Sequence, residues 1–62
     1  MVEYINIIAD YSDIKSFVTE LKFNNIKVIL AYDNEDGNSV IKIIKPNNIS
    51  ILDNFEWIKS LE

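Results

Sequence analysis

Gly37, the only glycine of the chain, restricts the fold more than any other residue, because it follows Asp36 between two strand-like apolar runs. Asp-Gly is the dipeptide preferred in type I′ hairpin turns, where both central residues take positive φ. A two-residue loop here predicts a register in which Tyr32 opposes Ile41. Since side chains alternate across a strand, that register divides the hairpin into two faces.

The predicted register gives the hairpin one apolar face and one mixed face. The apolar face is expected to lie in the core and contains Val28, Leu30, Tyr32, Ile41 and Ile43. The mixed face is expected to be left uncovered and contains Lys27, Ile29, Ala31, Asp33, Val40, Lys42 and Ile44. A slip of one residue would scramble this division, so the prediction depends on the length of the loop.

Two further elements are predicted before the hairpin. Residues 2–9 are rich in β-branched side chains and predict the first strand. Ile5 and Ile7 are expected to point inward, because burying Asn6 without a partner would be costly. The strand is followed by an amphipathic helix, whose apolar residues recur at helical spacing: Ile14, Phe17, Val18 and Leu21.

The ends of this first helix are also predicted from short-range signals. Asp10 or Ser12 is expected to cap its start, with Asp13 in an approximate capping-box position. Its end is expected at Asn24 and Asn25, because asparagine tolerates the left-handed conformation of a helix C-terminus.

A second helix is predicted after the hairpin. Pro46 ends the third strand, and Ser50, with Asp53 three residues later, is expected to cap the helix. Phe23 and Trp57 lie off the apolar stripes of their helices, so each is interpreted either as an anchor for a partner or as part of a helix–helix seam. The inward side of the second helix is expected to contain Ile51, Phe55, Ile58 and Leu61.

The expected fold is a single α+β domain over residues 1–62, with the order β-α-β-β-α in two layers. Right-handed crossover makes the first two strands parallel, and the tight turn makes the third antiparallel to the second. The strand order 1-3-2 is favoured and 1-2-3 is possible, with both helices on one face. In topology alone, the favoured order resembles a ferredoxin-like split β-α-β unit without its last strand.

An apolar sheet face left without a covering layer is the main indication of function. A solvated face of an antiparallel sheet is normally polar, and a large apolar patch usually marks an interface. The first strand is also expected to be an unprotected edge, open to strand addition. The predicted partner-binding residues are Tyr4, Ile8, Ile29, Ala31, Val40, Lys42 and Ile44.

An acidic rim offers an alternative site. The first two strands are expected to end on the same side of the sheet, which brings five carboxylates together: Asp10, Asp13, Asp33, Glu35 and Asp36. Such a rim could imitate phosphates and block a DNA-binding protein. A metal site is not predicted, because the glycine of this loop stands one position too early for an EF-hand.

Composition narrows the possible functions. The chain has no histidine, cysteine or arginine, which removes the usual general base, thiolate and bidentate phosphate ligand. We therefore expect a non-enzymatic protein in the cytoplasm, without cofactor or metal, that contacts neither nucleic acid nor membrane. Its expected role is a small inhibitor, adaptor or regulator that binds another protein and self-associates, for example as a homodimer.

Overall fold

A computed structural model describes residues 1–62 as one four-stranded antiparallel sheet with a single α-helix on one side. The elements are β1 (Tyr4–Ala9), α1 (Ile14–Phe23), β2 (Val28–Asp33), β3 (Ser39–Ile44), a 3-10 helix (Ile49–Asn54) and β4 (Ile58–Leu61). The strands lie in the order β2-β3-β1-β4. No helix has the length and apolar character needed to cross a membrane.

The predicted insertion of the third strand is confirmed. β3 lies between β2 and β1 and pairs antiparallel with both, so β1 and β2 run in the same direction without touching. The order 1-3-2 is therefore correct for the first three strands, and the order 1-2-3 is wrong. The predicted inward face of β1 is also confirmed, because Ile7 and Ala9 are fully buried and Ile5 packs against the core.

The predicted second helix is wrong. A short 3-10 helix, capped by the side chain of Asn48, replaces its first half, and β4 replaces its last residues. β4 pairs with the outer edge of β1, where the backbones of Asn6 and Glu62 exchange two hydrogen bonds of 2.8 Å each. This pairing satisfies backbone groups that β1 would otherwise expose, which local helical hydrogen bonds could not do. The missing strand of the split β-α-β arrangement is thus present.

The hairpin loop is longer than predicted. Asn34 donates its backbone N–H to the carbonyl of Asn38 at 2.9 Å, which leaves a three-residue loop at 35–37. The side-chain oxygen of Asn34 also accepts hydrogen bonds from the backbone N–H groups of Asp36 and Asn38, at 3.0 Å each. Gly37, the last residue of the loop, has φ +80°, because a three-residue hairpin loop ends in the left-handed conformation. Positive φ at Gly37 is confirmed, but the two-residue loop is wrong.

The longer loop shifts the β2–β3 register by one residue. Tyr32 pairs with Val40 instead of Ile41, and Ala31 takes the place opposite Ile41. Leu30 and Tyr32, predicted to lie in the core, are therefore about half exposed, and Ala31 packs against the core instead. A bulge between Val28 and Leu30 then shifts the register again, so that Val28 lies opposite Ile43. Val28 therefore packs on the side of α1, which is the side predicted for it.

The core lies between α1, the 3-10 segment and the adjoining face of the sheet. The ring of Phe17 stacks on Trp57, with 4.1 Å between centroids and 17° between planes. Trp57 donates its indole N–H to a carboxylate oxygen of Glu20 at 2.8 Å, so its polar atom is satisfied although the residue is buried. Interpreting Trp57 as a partner anchor is thus wrong. The buried core is made of Ile7, Ala9, Phe17, Leu21, Ile26, Ile41, Ile43, Leu52, Phe55 and Trp57.

The predicted cap at the start of α1 is wrong, whereas the predicted stop at its end is confirmed. At the start, the cap residue is Asp13, and neither Asp10 nor Ser12 caps the helix as predicted. Asp13 makes no side-chain cap, and its backbone N–H donates to the hydroxyl of Ser39 at 3.3 Å. At the other end, Asn25 takes φ +63°, which confirms the predicted stop. Ile26 donates its N–H to the carbonyl of Leu21 at 3.0 Å, as in a Schellman motif.

Candidate protein-binding face

The side of the sheet that faces away from α1 has no covering layer, and we call it the open face. Register defines it, because residues 39, 41 and 43 of β3 are fully buried beside the helix layer and the residues between them must point the other way. Cross-strand pairs extend the assignment to the neighbouring strands. The open face contains Tyr4, Asn6, Ile8, Leu30, Tyr32, Val40, Lys42, Ile44 and Ser60.

Val40 is the centre of the open face. It is only 8% exposed, although it does not belong to the buried cluster beside α1. Its neighbours within the sheet cover it, since Tyr32 lies opposite on β2 and Ile8 lies opposite on β1. The open face therefore has a continuous apolar centre across three strands.

Large side chains surround this centre and remain accessible. Tyr4, Leu30 and Tyr32 are 51%, 54% and 50% exposed. Lys42, the only charged residue of the set, lies over the ring of Tyr4 with its ammonium nitrogen 4.8 Å from the ring centroid. The lysine thus forms a cation–π contact and covers the aromatic ring, rather than separating the apolar residues with a solvated charge.

Five of the seven predicted partner-binding residues come together on the open face: Tyr4, Ile8, Val40, Lys42 and Ile44. Ile29 lies beside them at the bulge of β2 and is exposed. The predicted position of Ala31 on the uncovered face is wrong, because the register shift places it on the side of α1. Leu30 and Tyr32 were missed for the same reason. Asn34, whose side chain can close a longer loop, is the sequence signal that could have found them.

The predicted open edge is also corrected. β1 pairs with β3 on one side and β4 on the other, so it offers no free edge. The free edges of the sheet belong to β2, which pairs only with β3, and to β4, which pairs only with β1. We call the outer side of Val28–Asp33 the β2 edge.

The acidic rim is partly assembled. Asn38, with its amide oriented by its acceptors, donates to the carbonyl of Asp10 at 3.0 Å, so the end of β1 lies against the hairpin loop. Ser39 links the other members, because its hydroxyl donates to a carboxylate oxygen of Asp33 at 3.0 Å and accepts from the N–H of Asp13. Asp33 therefore has an internal partner. No group of three acidic residues is arranged to hold a metal ion.

The molecule has two hollows, and both lie at the end of the sheet opposite the hairpin loop. One, of about 370 Å³, is lined by residues that include Lys27, Ile44 and Pro46. The other, of about 270 Å³, is lined by residues that include Glu3 and Lys45, which form an ion pair of 3.3 Å. Neither hollow is lined by a serine, threonine or tyrosine hydroxyl.

Comparison of the chain with protein-family models, with curated proteins and with solved structures gave no match.

Proposed function

We propose that this chain is a non-enzymatic protein-binding module, a small inhibitor, adaptor or regulator that docks another protein on its open face. The observation that supports this most strongly is the continuous apolar centre around Val40, bordered by half-exposed aromatic and aliphatic side chains. A face of this kind exposes to water what a second layer normally covers.

The composition of the open face suits a protein partner. Tyrosine is over-represented among the residues that dominate binding energy, because its ring is large and its hydroxyl can still pair. Tyr4 and Tyr32 stand on either side of the centre, on β1 and β2. Lys42 adds one positive charge beside Tyr4, which favours a partner with an acidic group next to an apolar patch.

The non-enzymatic interpretation rests on what the chain offers for catalysis. An active site usually needs a concave pocket with convergent polar groups. The two hollows are lined largely by asparagine, lysine and proline, and the chain has no histidine or cysteine to place there. Because a chain without cysteine gains nothing from an oxidising compartment, we propose the cytoplasm as its location.

A second candidate is an acidic mimic of nucleic acid that blocks a DNA-binding protein. The hydrogen bond from Asn38 to the carbonyl of Asp10 supports it, because this bond holds the end of β1 beside the acidic loop. The pairing of Asp33 with Ser39 weakens it, since that carboxylate is already engaged within the fold.

The experiment compares capture of partners by the parent chain and by two matched variants. Ile44→Glu places a charge on the open face, and Ile49→Glu makes the same change at the start of the 3-10 helix, where Ile49 is 44% exposed. We expect proteins captured from cell lysate to be lost with Ile44→Glu and kept with Ile49→Glu, because burying an unpaired charge is costly.

The dissociation constant of a captured, purified protein is then measured in low and high salt. Docking on the open face predicts little salt dependence, whereas mimicry by the acidic rim predicts a steep loss of affinity. Equal binding by the parent and Ile44→Glu contradicts the proposed face.

A further inference from the structure

We propose that two copies of this chain pair edge to edge through β2, antiparallel and around a two-fold axis beside Ala31, so that their sheets become one. The proposal goes beyond the proposed function and concerns the β2 edge, which adjoins the open face at Leu30 and Tyr32. It commits to one occupant, a second copy of the chain.

The β2 edge has unpaired backbone groups at known positions. Asn34 is hydrogen-bonded to Asn38 across the hairpin, and antiparallel strands alternate bonded and non-bonded pairs. Counting from that pair, Tyr32 and Leu30 bond to β3, while the N–H and C=O groups of Ala31 and Asp33 point away from the sheet. The outer side of β2 therefore presents a short ladder with Ala31 in its middle.

The side chains of β2 leave this ladder poorly protected. Proteins usually guard a free edge with proline, an inward charge or a very short strand. β2 has six residues, no proline and no charge between Val28 and Tyr32. Three large apolar residues are exposed on it, Ile29, Leu30 and Tyr32, and the bulge near Ile29 is its only irregularity. A further strand would complete this edge.

Register makes the β2 edge complementary to itself. A two-fold axis at Ala31 places Ala31 opposite its own copy and Leu30 opposite Tyr32 of the second copy. Leu30 and Tyr32 both lie on the open face, so this register keeps the two open faces on the same side. Each Leu–Tyr pair, formed twice, is an aliphatic–aromatic cross-strand contact of the kind that stabilises sheets. The small side chain of Ala31 leaves the backbones free to approach.

Charge favours the same antiparallel arrangement. The start of β2 is basic, with Lys27 adjacent and outside any salt bridge. The other end is acidic, with Glu35 and Asp36 in the loop that follows. An antiparallel second copy places the basic end of each β2 next to the acidic end of the other, twice. An unrelated strand would not supply this matched pattern, so the two ends point to a second copy as the occupant.

The experiment measures the oligomeric state of the full chain by sedimentation velocity over a range of concentrations. Ala31→Pro removes an N–H that makes no bond within the monomer and blocks the middle of the ladder. We expect it to weaken association about a hundredfold, since two central hydrogen bonds are lost and their acceptors left unpaired. Circular dichroism confirms that the variant is folded.

A charge exchange tests the pairing independently of any proline effect on folding. Lys27→Glu, and separately the double variant Glu35→Lys with Asp36→Lys, brings like charges together in each homodimer, and we expect each to weaken association about tenfold. Mixing the two variants should restore association, because opposite charges then meet at both ends. Lys59→Glu, which makes the same charge change on β4, serves as the control and should associate like the parent.

A parent chain that stays monomeric at every concentration overturns the proposal. So does association that survives Ala31→Pro and the charge variants but disappears in Ile44→Glu, since that pattern places the contact on the open face. Loss of partner capture in Ile44→Glu with dimers intact supports both proposals. Dimers without any dependence of capture on Ile44 support the edge pairing and contradict the proposed function.

Discussion

The two sides of the sheet bury their residues by different means. Beside α1, Ile41 and Ile43 are fully buried because a second layer covers them. On the open face, Val40 is nearly as buried, but only through its neighbours in the sheet. Cover from a second layer makes a core, whereas lateral cover makes an apolar surface that still faces water. Low exposure alone therefore does not identify a core residue.

The largest loss of stability is expected from a substitution on the side of the sheet that α1 covers. Phe17→Ala removes the ring that stacks on Trp57 and packs edge-on against Tyr11, and should lower the free energy of unfolding by about 3–5 kcal/mol. For a chain of this size that approaches the whole stability. Urea unfolding followed by Trp57 fluorescence measures it. A variant as stable as the parent would mean that the helix layer does not depend on this stack.

A matched pair on β3 sharpens the comparison directly. Ile43 and Ile44 are adjacent and chemically identical, but Ile43 faces α1 and Ile44 faces the open side. Ile43→Ala should cost about 2–5 kcal/mol, because it leaves a cavity between two layers. Ile44→Ala should cost about 1 kcal/mol or less, because water can fill the space it leaves. Equal losses in chemical denaturation would indicate that the open face has a covering layer in solution.

The smallest effect concerns the turn that separates the two sides. Gly37→Ala should cost about 1 kcal/mol, because alanine disfavours the positive φ that this position requires. A Cβ at Gly37 would meet no atom within 4 Å, so the loss should come from the backbone alone. Gly37→Asn is the control and should lose less, since asparagine tolerates this conformation. Thermal unfolding of the three chains tests that order, and a larger loss with asparagine contradicts it.

Local signals predicted the elements in which chain neighbours determine the structure. The stripe of α1, the inward face of β1 and the positive φ of Gly37 depend on spacing and backbone sterics over a few residues. Chirality and a short turn predicted the directions of the first three strands and left two strand orders open, of which the favoured one, with β3 between β1 and β2, is observed. Most open-face residues of β1 and β3 were predicted from the alternation of side chains along each strand.

The incorrect predictions have a different cause, because each concerns a residue whose structure depends on contacts within the fold that sequence spacing does not reveal. The side chain of Asn34 closes the hairpin loop one residue earlier than an Asp-Gly turn, which reverses the sides of Leu30 and Ala31. Residues 58–61 fit a helical stripe as well as a strand, and pairing with β1 decides between them. Trp57 is off that stripe because it is not on a helix at all.

The pairing of Asn6 with Glu62 has a consequence for biosynthesis. This ladder joins residues that are far apart along the chain, so it cannot form until Glu62 has left the ribosome exit tunnel. Until then β1 presents the free edge that β4 later occupies, and nascent chains on one messenger RNA are close neighbours. Synthesis of β4 thus ends a period of exposure to misassembly that begins as soon as the β1–β3 pair has formed.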